Sequence, residues 1–140
     1  MSNKRFWMAF AACYVVLQAL NFLVHGVLLK SSYQAQAAVF RPEDVMNGMM
    51  WIMFVNSAIY LWVFCYVFTK GYENKGLMEG VRYGALMGLL ISVMGAYDAY
   101  VVYPIPYTLA LKWFLSGMVV WTALGVVLSL VYKPEAPKAA

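Results

Sequence analysis

The sequence predicts an all-α integral membrane protein: a four-helix bundle running up-down-up-down, with both termini on the cytoplasmic side. Three observations lead there. The composition is too apolar for water, the apolar residues fall into runs of membrane-spanning length, and the basic residues are unevenly distributed. Of 140 residues, 64% are hydrophobic and 11% charged. Soluble domains carry about 25% charged residues, so there is too little polar surface to cover a particle in water. The apolar runs occupy about 6–29, 43–69, 77–102 and 107–132. About 20 residues cross ~30 Å of hydrocarbon. Spanning β-strands would be about 10 residues long and alternating, and these runs are neither. A single transmembrane domain over 1–132 and a polar tail over 133–140 are expected.

Span 1 follows MSNKR. That start resembles the basic end of a signal peptide, and Ala35-Gln36-Ala37 resembles a cleavage site. The apolar run, however, exceeds the roughly 7–15 residues of a signal-peptide core, so span 1 reads as retained. The stretch 31–40, SSYQAQAAVF, is mildly amphipathic and predicts a short helix on the membrane surface. RPED opens span 2: Pro42 suits a first helical turn, and Glu43 and Asp44 favour its positive end. The loop KGYENKG has Gly71 and Gly76 as stop and start signals, and Glu79 is spaced to pair with Arg82. Span 3 must end before Tyr103-Pro104, and Pro106 suits the first turn of span 4. The tail KPEAPKAA predicts disorder.

Lys4, Arg5, Lys70, Lys75, Arg82, Lys133 and Lys138 all fall at one end of this topology. At the other, Lys30 and Arg41 are offset by Glu43 and Asp44. The positive-inside rule then puts both termini in the cytoplasm of a multi-pass inner (plasma) membrane protein. The net charge of +4 reflects topology and contact with membrane lipids. It is not a nucleic-acid footprint, because no basic stripe carries interleaved aromatics. Tyrosines and tryptophans near the span ends read as interfacial belts. Met46, Met49, Met50 and Met53 read as packing residues, and Cys13 and Cys65 as small buried ones.

Span 3 carries Gly76, Gly80, Gly84, Gly88, Ser92 and Ala96 at four-residue spacing. Lipid provides little hydrophobic drive between helices, and seams of small residues let backbones approach closely. The partner is expected within the chain, though the spacing does not choose among span 1, span 4 and another subunit.

Tyr14, Gln18, Asn21 and His25 lie within about 60° of one another on span 1. Glu43 and Asn47 share a face at the same end of span 2, while Asn56 points the opposite way. Asp98 and Lys112 are equidistant in sequence from Ile105 at the 3–4 turn, and so lie at similar depth. An ion in hydrocarbon costs about 2.5–3.5 kcal/mol, which an Asp98–Lys112 pair would partly offset. These eight residues form a candidate ligand-binding pocket on the outer side, or a network that sets bundle register. His25, the sole histidine, is also a candidate metal or axial haem ligand.

The sequence holds no nucleophile-base-orienter set, no paired cysteines and no phosphate-cradling loop. Enzymatic activity is therefore not the first expectation. That expectation is a non-enzymatic subunit or scaffold packing through the span 3 seam, as a homo-oligomer or within a larger membrane complex. The alternatives are a protein that binds or transports a small solute, lipid or quinone through the polar pocket, and a haem- or metal-dependent membrane protein using His25. No cofactor is specified.

Overall fold

A computed structural model describes residues 3–133; the tail beyond, with Lys138, lies outside the described residues. Helix α1 (Asn3–Asn21) continues into a π-helical segment, Phe22–Leu28. The short α2 (Lys30–Gln34) follows, then α3 (Glu43–Lys70). Helix α4 (Leu77–Val93) continues through a second π-helical segment, Met94–Asp98, into α5 (Ala99–Val102). Helix α6 (Tyr107–Val131) closes the chain. Four of the resulting rods are long and apolar enough to cross a membrane, and no strand occurs among the described residues.

The rods alternate in direction. At the end holding the N-terminus, termed proximal, Phe68 and Tyr72 pack edge-on against Tyr132, and Phe6 against Trp62. At the distal end, α2 and the chain between it and α3 fold over the start of α6. Tyr33, Val39 and Phe40 there cover Ile105, Leu109 and Ala110. The core lies between, where Leu17, Leu61, Phe64, Leu124 and Leu128 are fully buried.

Helix α6 is the central element, and its closest neighbour is α4. A Cβ on Gly80 would strike the Gly125 carbonyl and the Ser129 side chain. One on Gly84 would come within 2.5 Å of the Trp121 carbonyl and 2.8 Å of Thr122 Cα, and one on Gly125 within 2.8 Å of Gly84 Cα. The two backbones are thus in direct contact. Farther along, Gly88 faces the Trp121 side chain and Ser92 faces Gly117. Ala96 is buried at the distal end of the same row. Gly76 stands apart from this row. It caps the N-terminus of α4 with φ of 72°, a left-handed conformation that glycine adopts without strain, and has no neighbour there.

The expected Glu79–Arg82 pair gives way to a loop clamp. The Glu79 carboxylate accepts the backbone N–H groups of Glu73 at 2.6 Å and Lys75 at 2.8 Å. Unpaired amides beside a positive helix end compete well for a carboxylate. Lys75 pairs instead with Glu73 and holds that carboxyl below the usual carboxylate range.

Helix α3 belongs to the bundle only in its proximal half. There Ser57, Leu61, Phe64, Cys65 and Phe68 form a buried stripe. Every residue from Glu43 to Asn56 is exposed, so the distal half leans away from its neighbours.

The glycine contacts predict opposite signs for one chemical change. Gly84→Ala forces a methyl into the α6 backbone, which cannot step aside, and should cost about 1–3 kcal/mol as overpacking. Gly48→Ala, on an open face of α3, should be neutral or stabilise by up to about 1 kcal/mol. Thermal melts in mild detergent check both. Equal melting points for the two variants would mean that the α4–α6 contact is looser than described.

Candidate functional site

Proximally, the α4–α6 contact leaves no space. Distally, α3 leans out, and α1 and α4 each widen into a π-helical turn. Such turns add one residue to the helical repeat and recur at functional sites. The result is a cavity of about 190 Å³ whose lining includes Asn21 and His25 from α1 and its extension, Tyr60 from α3, Ser92 from α4, and Trp113 and Trp121 from α6. His25 is exposed, so the cavity meets the surface there.

One atom in this lining is unlike its neighbours. Ser57, Thr69, Ser116 and Ser129 each donate their hydroxyl to a carbonyl of the preceding turn, as helical hydroxyls commonly do. Ser92 is buried, and its Oγ has no hydrogen-bond partner among the described residues. Leaving a buried hydroxyl unpaired costs about 1–3 kcal/mol. The opposite wall is Gly117, where even a Cβ would meet Ser92.

The distal rim is tied by Tyr33. Trp113 Nε1 donates to the Tyr33 hydroxyl at 2.8 Å, and that hydroxyl lies 2.5 Å from His25 Nδ1. Indole can only donate, so the Tyr33 proton is free for Nδ1; in that tautomer His25 keeps Nε2–H as a free donor. The imidazole and phenol rings stack with centroids 6.0 Å apart, and Phe40 packs edge-on against Tyr33. Burial pushes the Tyr33 phenol above its ordinary pKa, with the Trp113 bond opposing in part, so it stays a neutral donor.

Of the eight residues singled out in the sequence, Asn21 and His25 line the cavity. Tyr14 and Gln18 lie proximal to them and join α1 to α3. The Tyr14 hydroxyl donates to the Phe54 carbonyl at 3.1 Å and the Gln18 amide to Ser57 Oγ at 2.8 Å. Glu43 and Asn47 are exposed on the half of α3 that leans away. Lys112 donates to Ser32 on α2 at 2.8 Å. Asp98 is exposed and makes no ion pair with Lys112. Equal depth in a hairpin fixes height but not direction, and the π-helical segment ending at Asp98 displaces the face by about 100° from a regular helix.

No carboxylate or lysine lines the cavity. Among the described residues no three His, Cys, Asp or Glu side chains come together as a metal site. His25 is therefore not gathered with any two carboxylates or thiols that would complete a metal site with it. A space of about 190 Å³ is also far too small for a tetrapyrrole. Cys13 and Cys65 are buried elsewhere, with Cys13 Sγ directed at the Leu124 carbonyl.

Four contributors escape a reading of the sequence. Tyr60 and Trp113 look like ordinary aromatic packing, and Tyr33 lies outside every span. Ser92 looks like one more small residue of the seam. No family model matches the chain, and comparison with curated proteins and with solved structures returns no match.

Tyr33→Phe removes the shared partner of Trp113 and His25. It should lower stability by about 1–2 kcal/mol and change Trp113 emission. A Tyr33→Phe protein with the parent melting point and spectrum would exclude the rim hydrogen bonds.

Proposed function

We propose that this chain is a multi-pass protein of the plasma membrane, termini cytoplasmic, that binds a small uncharged ring compound in its distal cavity. Four rods of spanning length support the membrane assignment. The basic residues near the proximal end (Lys4, Arg5, Lys70, Lys75 and Arg82) support the orientation. The cavity then lies in the outer half of the bilayer, reachable from the lipid or the outer surface.

The observation that carries the binding reading is the unpaired hydroxyl of Ser92. A buried group that forgoes the usual carbonyl of its own helix is satisfied at low cost by a guest. The lining chooses the guest's chemistry. Aromatic walls from Tyr60, Trp113 and Trp121 favour a ring. Without a lining charge, an ion has no partner and would be costly to hold. A cavity of about 150 Å³ holds benzene, so this one takes a single ring with one hydrogen-bonding substituent. Ser92, whose Oγ packs against Gly117, would provide the bond on turning toward the guest, and Asn21 or the outer nitrogen of His25 a second. A phenol or the head of a quinone satisfies these terms; a lipid phosphate does not.

Titration of the purified protein with phenol, followed by tryptophan emission and melting temperature, tests this. Phenol should saturate and raise the melting temperature, and toluene should bind about tenfold more weakly for want of one hydrogen bond. Ser92→Ala should stabilise the empty protein by about 1 kcal/mol, because an unsatisfied group is gone. The same change should abolish the preference for phenol over toluene. If Ser92→Ala destabilises the protein and leaves the preference intact, the hydroxyl is structural and the proposal falls.

A further inference from the structure

We propose that α3 is also the contact through which two copies of this chain associate in the membrane, side by side and parallel. The inference rests on the membrane reading above, but not on the cavity.

Val45, Met49, Ile52, Asn56, Ile59 and Val63 repeat at alternating spacings of four and three. That is the seam of a coiled coil. It lies about 130° round α3 from the buried stripe of Ser57, Leu61 and Phe64, and so faces away from the bundle. All six residues are exposed, the apolar five by 41% to 61%. The helix is thus patterned on two faces, and the chain itself covers only one.

Apolar side chains facing out of a membrane protein need no explanation, since lipid covers them. Asn56 does need one. It stands at the midpoint of a 28-residue helix, about 20 Å from either end, too deep for a short side chain to reach water. It is exposed, and its amide has no partner among the described residues. Lipid tails offer no hydrogen bond, so an amide facing them carries the full cost of desolvation. A protein surface must meet it.

That surface is a second copy, for two reasons. An amide is its own complement, because it donates and accepts at once. Copies inserted with the same topology present Asn56 at the same depth. On a two-fold axis along the membrane normal, the two amides meet and bond reciprocally. A single asparagine at one seam position is also the device that fixes register and favours two strands in parallel coiled coils. In the seam's alternation Asn56 shares its class with Met49 and Val63. Ile52 and Ile59 flank it on the other class and close the contact above and below.

Cross-linking in lipid vesicles tests the assignment. The native Cys13 and Cys65 are buried and stay in place. Ile52→Cys, Asn56→Cys and Ile59→Cys should form disulfide dimers on oxidation, while Met50→Cys and Phe54→Cys, which continue the buried stripe, should not. Native mass spectrometry should give twice the 15.8 kDa chain. Asn56→Val, with no amide, should weaken the dimer about tenfold and leave the monomer's melting temperature unchanged. Asn56→Gln should recover part of the loss. Flotation with the vesicles checks membrane insertion separately, so a floated monomer overturns the dimer alone. Cross-links strongest at positions 50 and 54, a trimer through the same stripe, or an Asn56→Val dimer as tight as the parent would each overturn it too.

Discussion

The structure depends on the approach of α4 to α6 at Gly80, Gly84 and Gly125. In the membrane proposed for it, a hydrophobic effect cannot hold helices together, so close packing must. A Cβ on any of these glycines would occupy space that the other helix's backbone or side chains fill. That contact makes α4 and α6 one rigid unit. The buried faces of α1 and the proximal half of α3 then build on α6, through Leu17, Leu61 and Phe64 around Leu124 and Trp121. The cavity follows from the same constraint. Backbones that touch at one end must part at the other once larger side chains and a π-helical turn enter the seam.

The sequence made some of this legible and hid the rest for physical reasons. Four rods follow from the length and apolarity of the four runs, and the structure has four helices that meet both terms. The row from Gly80 to Ala96 follows from spacing alone. Its counterpart on α6 does not, because Trp121 interrupts the run of Gly117, Gly125 and Ser129 and disguises it. Asn21 and His25 are visible as polar residues on an apolar helix. Their partners Tyr60, Trp113 and Tyr33 are not, since nothing in an aromatic residue's position says whether its polar tip is in use. Asp98 and Lys112 do not pair because equal distance from the turn sets depth and not the direction each side chain faces, and a π-helical segment ends at Asp98. Ser92 shows the sharpest limit. Its place in the seam is legible, but an unpaired hydroxyl is a fact about neighbours.

Tyr33 and Glu79 show how short connections organise the two ends. Both recruit a side chain to satisfy groups that the helices leave open. Glu79 holds two loop amides at the proximal end. Tyr33 joins an indole on α6 to an imidazole beside α1. The proximal clamp closes a tightly packed end. The distal one spans a gap, which is why its members are aromatic and polar together.

The proposals for the cavity and for the dimer meet on α3. Tyr60 lines the cavity, while its neighbour Ile59 belongs to the exposed seam. The helix is anchored proximally by Phe64 and Phe68, and beyond Ser57 the side-chain hydrogen bond that ties it to another element among the described residues is that of Tyr14 to the Phe54 carbonyl. On these two proposals, a guest that drew Tyr60 inward would change the tilt of the distal half and with it the distance between two copies' Asn56 amides. Linkage requires the reverse as well: whatever factor the guest contributes to association, association contributes to the guest's affinity. A helix packed along its whole length would insulate one face from the other. On these proposals a half-free α3 would couple them, which gives its exposed distal half a role that packing alone does not.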